Sequence, residues 1–135
     1  MVRKAWVLPL LIAAAAAVAA PEDDYARGRQ AYAAGDVAGA MRALRGGANA
    51  GHGPSMALLG FILERSDFVD EALALYRRAA ALGVPDAHVA LGNLHLAGRG
   101  VAKDENAALA HFSEAARLGD AHAAALVARL RKGAS

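Results

Sequence analysis

Residues 95–104, HLAGRGVAKD, crowd a histidine, two glycines and two cationic side chains together. Such a set could hold a phosphate through backbone amides and charged heads. The spacing excludes that chemistry. A dinucleotide fingerprint needs a strand before it and a third glycine opening a helix, and a P-loop needs Gly-Lys-Ser/Thr. Here a helical apolar pattern runs up to Gly98, no third glycine follows, and Asp104 stands at the next helix start, where it would repel a phosphate.

The histidines are His52, His88, His95, His111 and His122, in neither H-x-x-x-H nor H-E-x-x-H spacing. His88 and His95 share a helical face but lie two turns apart, about 10 Å at 1.5 Å per residue, too far to grip one ion. No metal site is expected. The serines Ser55, Ser66, Ser113 and Ser135 fall in neither G-x-S-x-G nor S-x-x-K. The acidic pairs Asp23-Asp24, Asp70-Glu71 and Asp104-Glu105 sit at or near helix starts, where the dipole favours a carboxylate. The expectation is a chain with no catalytic residue and no cofactor.

What positions these side chains is a recurring unit. Gly28, Gly60 and Gly92 are 32 residues apart, as are Ala40 and Ala72, Leu44 and Tyr76, and Gly51 and Gly83. Ala108, Phe112 and Gly119 each follow their partners by 36, so four residues entered between Gly92 and Ala108, the interval that holds HLAGRGVAKD. Each unit reads as two helices. Ala72, Tyr76, Ala79, Ala80 and Gly83 form one continuous face at i, i+4, i+7, i+8 and i+11. Asp36, Asp67 (or Ser66) and Asp104 stand where N-caps are needed. Gly51, Gly83 and Gly119 suit left-handed helix ends, and Pro54 and Pro85 suit helix openings. Glycine inside a helix costs about 1 kcal/mol against alanine. Its recurrence predicts crossings too close for a β-carbon, with Tyr76 and Phe112 filling wider gaps alongside.

Residues 1–19 carry Arg3 and Lys4, an apolar run over 6–18 broken only by Pro9, and a small-residue end, the order of a signal peptide with cleavage expected after Ala19. The whole chain has 15 Lys+Arg against 13 Asp+Glu; without Arg3 and Lys4 it stands at 13 against 13. The basic balance therefore belongs to the export signal and gives no support to nucleic-acid or anionic-membrane binding. No stable membrane insertion is expected after cleavage, and a retained signal anchor is the competing reading. Export implies a periplasmic or secreted protein. No cysteine is available for a disulfide, so hydrophobic burial must hold the fold. Alanine-rich composition with few aromatics points to closely packed helices.

The segment from Ala87 through Leu91-Gly92-Asn93-Leu94 to Gly98-Arg99-Gly100-Val101, then Asp104, Ala108, Phe112, Ala115-Ala116 and Gly119, resembles the Sel-one-like repeat. His95 replaces that family's aromatic, the second copy lacks the G-x-G-V loop, and the first, with Ala31-Tyr32-Ala33-Ala34-Gly35-Asp36, looks more like a plain tetratricopeptide repeat. The resemblance implies an all-α, right-handed α-solenoid of antiparallel helix pairs in one domain over 20–135. Repeats would span about 22–51, 54–83 and 86–119, with a capping helix at 120–132. Some secreted relatives carry one disulfide per repeat, which this chain cannot form. The resemblance further implies a peptide or partner helix held in a concave groove of the first helices, and the export signal places that partner in the bacterial cell envelope. Carried over by position, the groove would present Arg29, Tyr32, Phe61, Glu64, Arg65, Asn93 and Leu96. An envelope hydrolase or β-lactam-binding protein is the alternative, and self-stacking of short arrays a further mode of assembly.

Overall fold

The computed structural model describes residues 19–135, and the expected signal peptide lies almost wholly outside them. Seven helices follow one another among the described residues: α1 Pro21–Ala33, α2 Val37–Asn49, α3 Gly53–Arg65, α4 Val69–Ala81, α5 Pro85–Ala97, α6 Glu105–Arg117 and α7 Ala121–Gly133. Alanine and leucine supply the propensity, and turn chemistry stops each helix after thirteen residues. Equal lengths, about 20 Å at 1.5 Å per residue, let the helices stack side by side. Antiparallel pairs form from α1 with α2, α3 with α4 and α5 with α6, each pair packs on the next, and α7 closes the end. Among the odd-numbered helices, α1 also touches α3 and α3 touches α5, forming one wall of an α-solenoid.

Caps set the boundaries. Gly39 N–H donates to the Asp36 carboxylate at 2.8 Å, Ala107 N–H to Asp104 at 3.0 Å and Ala123 N–H to Asp120 at 2.9 Å. Each satisfies a first-turn amide that has no partner within the helix. The second repeat departs from the expected capping. Phe68 occupies the N-cap of α4 without a side-chain cap, Asp67 takes a left-handed φ of 67°, and the Ser66 hydroxyl donates back to Ile62 O. Aspartate tolerates that backbone better than most non-glycine residues. Its carboxylate serves another purpose, receiving Arg99.

The helix-interior glycines mark the close crossings. A β-carbon on Gly60 would lie 2.8 Å from the Tyr76 ring, and one on Gly92 would lie 2.5 Å from the Phe112 ring. The rings therefore rest directly on the glycines, not in gaps beside them as expected. Tyr76 and Phe112 are almost fully buried. Leu44 occupies the same place over Gly28. One core runs from Ala40 through Leu94, and a second cluster joins Ala108, Phe112 and Val127 to Val89, Leu96 and Leu130.

Residues 98–104 connect α5 to α6. Gly98 ends α5 in the left-handed region, Gly100 crosses at φ 72°, and Val101 packs half-buried on the first core cluster. Arg99 remains partly exposed but reaches back onto the second repeat. Its guanidinium donates to Glu64 Oε1 at 3.2 Å, to the Glu64 carbonyl at 3.0 Å and to Asp67 Oδ1 at 3.3 Å. The four-residue insertion thus ties the third repeat back to the end of α3. Three hydrogen bonds on one planar head hold a geometry that a single exposed ion pair would not.

Candidate functional groove

Two cavities open on the odd-numbered helices. The first, about 490 Å³, is lined by Tyr25 of α1, by Pro54, Ala57, Leu58 and Phe61 of α3, by Tyr76, and by Val84, Pro85, Asp86 and Ala90. The second, about 370 Å³, shares Phe61, Tyr76, Asp86 and Ala90 and continues over Glu64, Val89 and Asn93 to Asp120 and His122. Four shared residues make these one groove running from α1 to α7. Phe61 stands where they join and is 41% exposed, unusual for a large aromatic on a helix that buries most of its apolar residues.

The groove's rim is built from aromatic contacts. Tyr32 meets the Phe61 ring edge-on at 6.1 Å. The Arg65 guanidinium lies 5.6 Å from the Phe61 ring centroid and Arg29 lies 5.7 Å from that of Tyr25. Such cation–π placement at exposed sites contributes about 0.5–1 kcal/mol and fixes where the charge sits. Of the residues expected to line the groove, Phe61, Glu64 and Asn93 do so. Arg29, Tyr32 and Arg65 stand beside it on or against lining rings, while Leu96 is packed half-buried on the second core cluster. Positional transfer missed the rest of the lining, Tyr25, Leu58, Val84 and Asp86 among them. Pro54, Val84, Pro85, Asp86, Asp120 and His122 lie at helix starts or in a connector, away from the positions being compared, whereas Ala57, Leu58, Tyr76, Val89 and Ala90 lie within helices.

Beneath the groove, the Tyr76 hydroxyl donates to Glu64 Oε2 at 2.8 Å. Burial, then the hydrogen bond and charge of Glu64, push the Tyr76 phenol well above its usual range, and the Arg99 charge only partly opposes this. The phenol stays a neutral donor and Glu64 is held by two neighbours. This is support for the groove wall, not acid–base machinery.

Among the described residues, Ser55 makes the one contact that resembles nucleophile activation, with His52 Nδ1 2.8 Å from its Oγ. Ser55 is fully buried, and its N–H also donates to the same ring nitrogen at 3.3 Å, so the pair caps α3 and no substrate reaches it.

The third repeat gathers histidines that spacing alone kept apart. His111 of α6 sits between His88 and His95 of α5, with ring centroids 5.5 Å and 5.6 Å away, and its Nδ1 lies 3.2 Å from that of His88. The Nδ1 of His95 is buried without a hydrogen-bond partner. Among the described residues no group of three or more His, Asp or Glu is placed to hold a metal ion, and these rings line neither cavity. Burial, then the nearby His88, His95 and Arg77, depress the His111 pKa below the ordinary imidazole value. A depressed folded-state pKa means the unfolded chain binds the proton more tightly. This contribution is complete above about pH 6.5 and is lost as pH falls. His111→Phe should therefore flatten the loss of stability between about pH 7 and 5, read from urea midpoints. Equal slopes for the two proteins would show that His111 does not set this pH dependence.

A family model of the Sel1 repeat matches residues 53–84 and 85–120, together half of the chain. The chain belongs to the Sel1 repeat family. Similar solved structures include a Sel1 repeat protein from Oxalobacter formigenes, at TM-score 0.74 and 26% identity over 84% of this chain and 49% of that one. A second is c5321, a protective antigen of uropathogenic Escherichia coli with an SLR fold, at TM-score 0.68 and 25% identity over 74% of this chain and 23% of that one. A third is Helicobacter pylori cysteine rich protein B, at TM-score 0.59 and 28% identity over 64% and 68%. This Sel1 repeat chain spans about half the Oxalobacter protein and under a quarter of c5321. No curated protein matches it. The likeness to a cysteine-rich structure holds although this chain has no cysteine, so in this chain the backbone is held by helix packing without crosslinks. Sel1 repeats generally serve as protein-interaction scaffolds, and the fold is typically non-catalytic.

Proposed function

We propose that this Sel1 repeat protein is a non-enzymatic adaptor of the bacterial cell envelope, exported through its N-terminal segment, that binds a peptide or helix of a protein partner in the groove of α1, α3, α5 and α7. The observation that supports it most is Phe61, an exposed aromatic at the junction of two cavities, flanked by Tyr32 and Arg65. Aromatic and arginine side chains around a concave apolar floor are the residues that dominate binding energy at protein interfaces. The buried Ser55 and the absence of any acylation motif argue against the hydrolase or β-lactam-binding alternative. Arg29, Glu64 and Asn93 would add polar contacts at the rim.

Phe61→Ala should weaken capture of an envelope partner by at least about 30-fold, the effect of losing about 2 kcal/mol at a central anchor. Exposure of the ring predicts a melting temperature close to that of the unaltered protein. The check is a pull-down from envelope extract quantified by dilution, paired with thermal melts of both proteins. Unchanged capture with an intact fold would remove Phe61 and this groove from the function.

A further inference from the structure

We propose that the groove's occupant is an apolar segment carrying lysine or arginine. The inference rests on the groove reading above and adds the chemistry of the partner. The continuous lining contains three carboxylates, Glu64, Asp86 and Asp120, and no lysine or arginine. The chain without Arg3 and Lys4 is formally balanced, so this sign is local to the groove and does not follow from bulk charge.

The three acids differ in what already satisfies them. Glu64 already accepts from Tyr76 and pairs with Arg99. Asp120 gives one oxygen to the Ala123 amide as an N-cap. Asp86, on the first turn of α5, forms no ion pair among the described residues and lines both cavities. An apolar wall on one side lowers the local dielectric and concentrates the field of these carboxylates on whatever enters. Arg29 and Arg65 lie outside the lining, over the Tyr25 ring of α1 and the Phe61 ring of α3, and would repel a cation from those two places on the rim. The partner is thereby oriented. Its apolar side chains would meet Leu58 and Phe61, and its basic ones would face Asp86 and Asp120.

A second copy is the nearest competing occupant, because α7 ends in Arg129, Arg131 and Lys132 with no acid. The apolar side chains beside those charges, Leu126, Val127 and Leu130, already pack against the chain's own core, so α7 pairs its basic end with no free apolar anchor for another copy's Phe61. The exposed Phe68 and Leu82 lie outside α7. The groove is therefore assigned to a different chain.

The test is selection of random twelve-residue display peptides on the immobilised protein, followed by sequencing and fluorescence anisotropy of the recovered peptides. The expected pool enriches Lys and Arg beside Leu, Phe or Trp and depletes Asp and Glu. Asp86→Lys combined with Asp120→Asn should abolish that preference and cost a recovered peptide tenfold or more in affinity; asparagine keeps the α7 cap. Peptides that depend on Phe61 but show no preference for basic residues, or a preference that survives the double substitution, would overturn this proposal and leave the groove reading standing. Peptides indifferent to Phe61→Ala would overturn both. A concentration-dependent dimer in sedimentation, dissociated by Asp86→Lys, would assign the groove to a second copy and overturn it too.

Discussion

Phe112→Ala is expected to lower the unfolding free energy by about 3–5 kcal/mol, and the resulting protein should accept a β-carbon at Gly92 that the unaltered one resists. Phe112 is wholly buried, and its ring would lie 2.5 Å from a β-carbon on Gly92. In the unaltered protein, Gly92→Ala gains about 1 kcal/mol of helix propensity but forces a packed ring to move, which costs about 1–3 kcal/mol. The net should be destabilising. Once the ring is gone, the same methyl enters the cavity, keeps its propensity gain and should stabilise by about 1 kcal/mol. A double-mutant cycle from urea denaturation reads this reversal of sign directly. If Gly92→Ala destabilised equally in both backgrounds, the ring-on-glycine contact would not be what fixes this crossing. Tyr76 on Gly60 should behave in the same sense, with the added loss of its bond to Glu64.

The architecture was legible because it is written in spacing. Gly28, Gly60 and Gly92 recur at one interval, and the shift to 36 residues in the third unit located the connector that carries Gly98 and Gly100. Helical period and cap residues act over a few positions, so local sequence reports them. Contacts between repeats are not local. Arg99 reaches Glu64 and Asp67 from more than thirty residues away, and nothing near Arg99 in sequence names those partners. His111 lies between His88 and His95 only because α6 folds back on α5. Asp67 looked like an N-cap by residue type, but the turn needed a left-handed residue there and no glycine was present. The groove was partly legible for the same reason as the fold. Positions repeated along α1, α3 and α5 share a face, which yielded Phe61, Glu64 and Asn93. Leu96 falls on that arithmetic too, but it packs into the cluster formed with α6 and α7. Asp86 and Val84 enter the groove from helix starts, where the repeat register carries no information about direction.

The connector itself offers the second large effect. Gly100→Ala should destabilise by about 2–4 kcal/mol, whereas Gly119→Ala should cost about 1–2 kcal/mol, although both residues have left-handed backbones. Gly119 has φ 100°, and a β-carbon added there would meet nothing within 4 Å, so only the backbone preference is lost. Gly100 has φ 72°, and its β-carbon would come within 2.6 Å of Val69 Cγ1 at the start of α4. The overlap therefore pushes the third repeat's connector off the second repeat, along the same seam that Arg99 closes on Glu64 and Asp67. Val69→Ala should recover part of the Gly100→Ala loss and leave Gly119→Ala untouched, as urea midpoints of the two pairs would show. Equal costs at the two glycines would mean that the connector is only a turn. A larger cost at Gly100, relieved by trimming Val69, would show that the extra four residues clamp one repeat to the next and hold α5 in place beside Phe61, where the groove is formed.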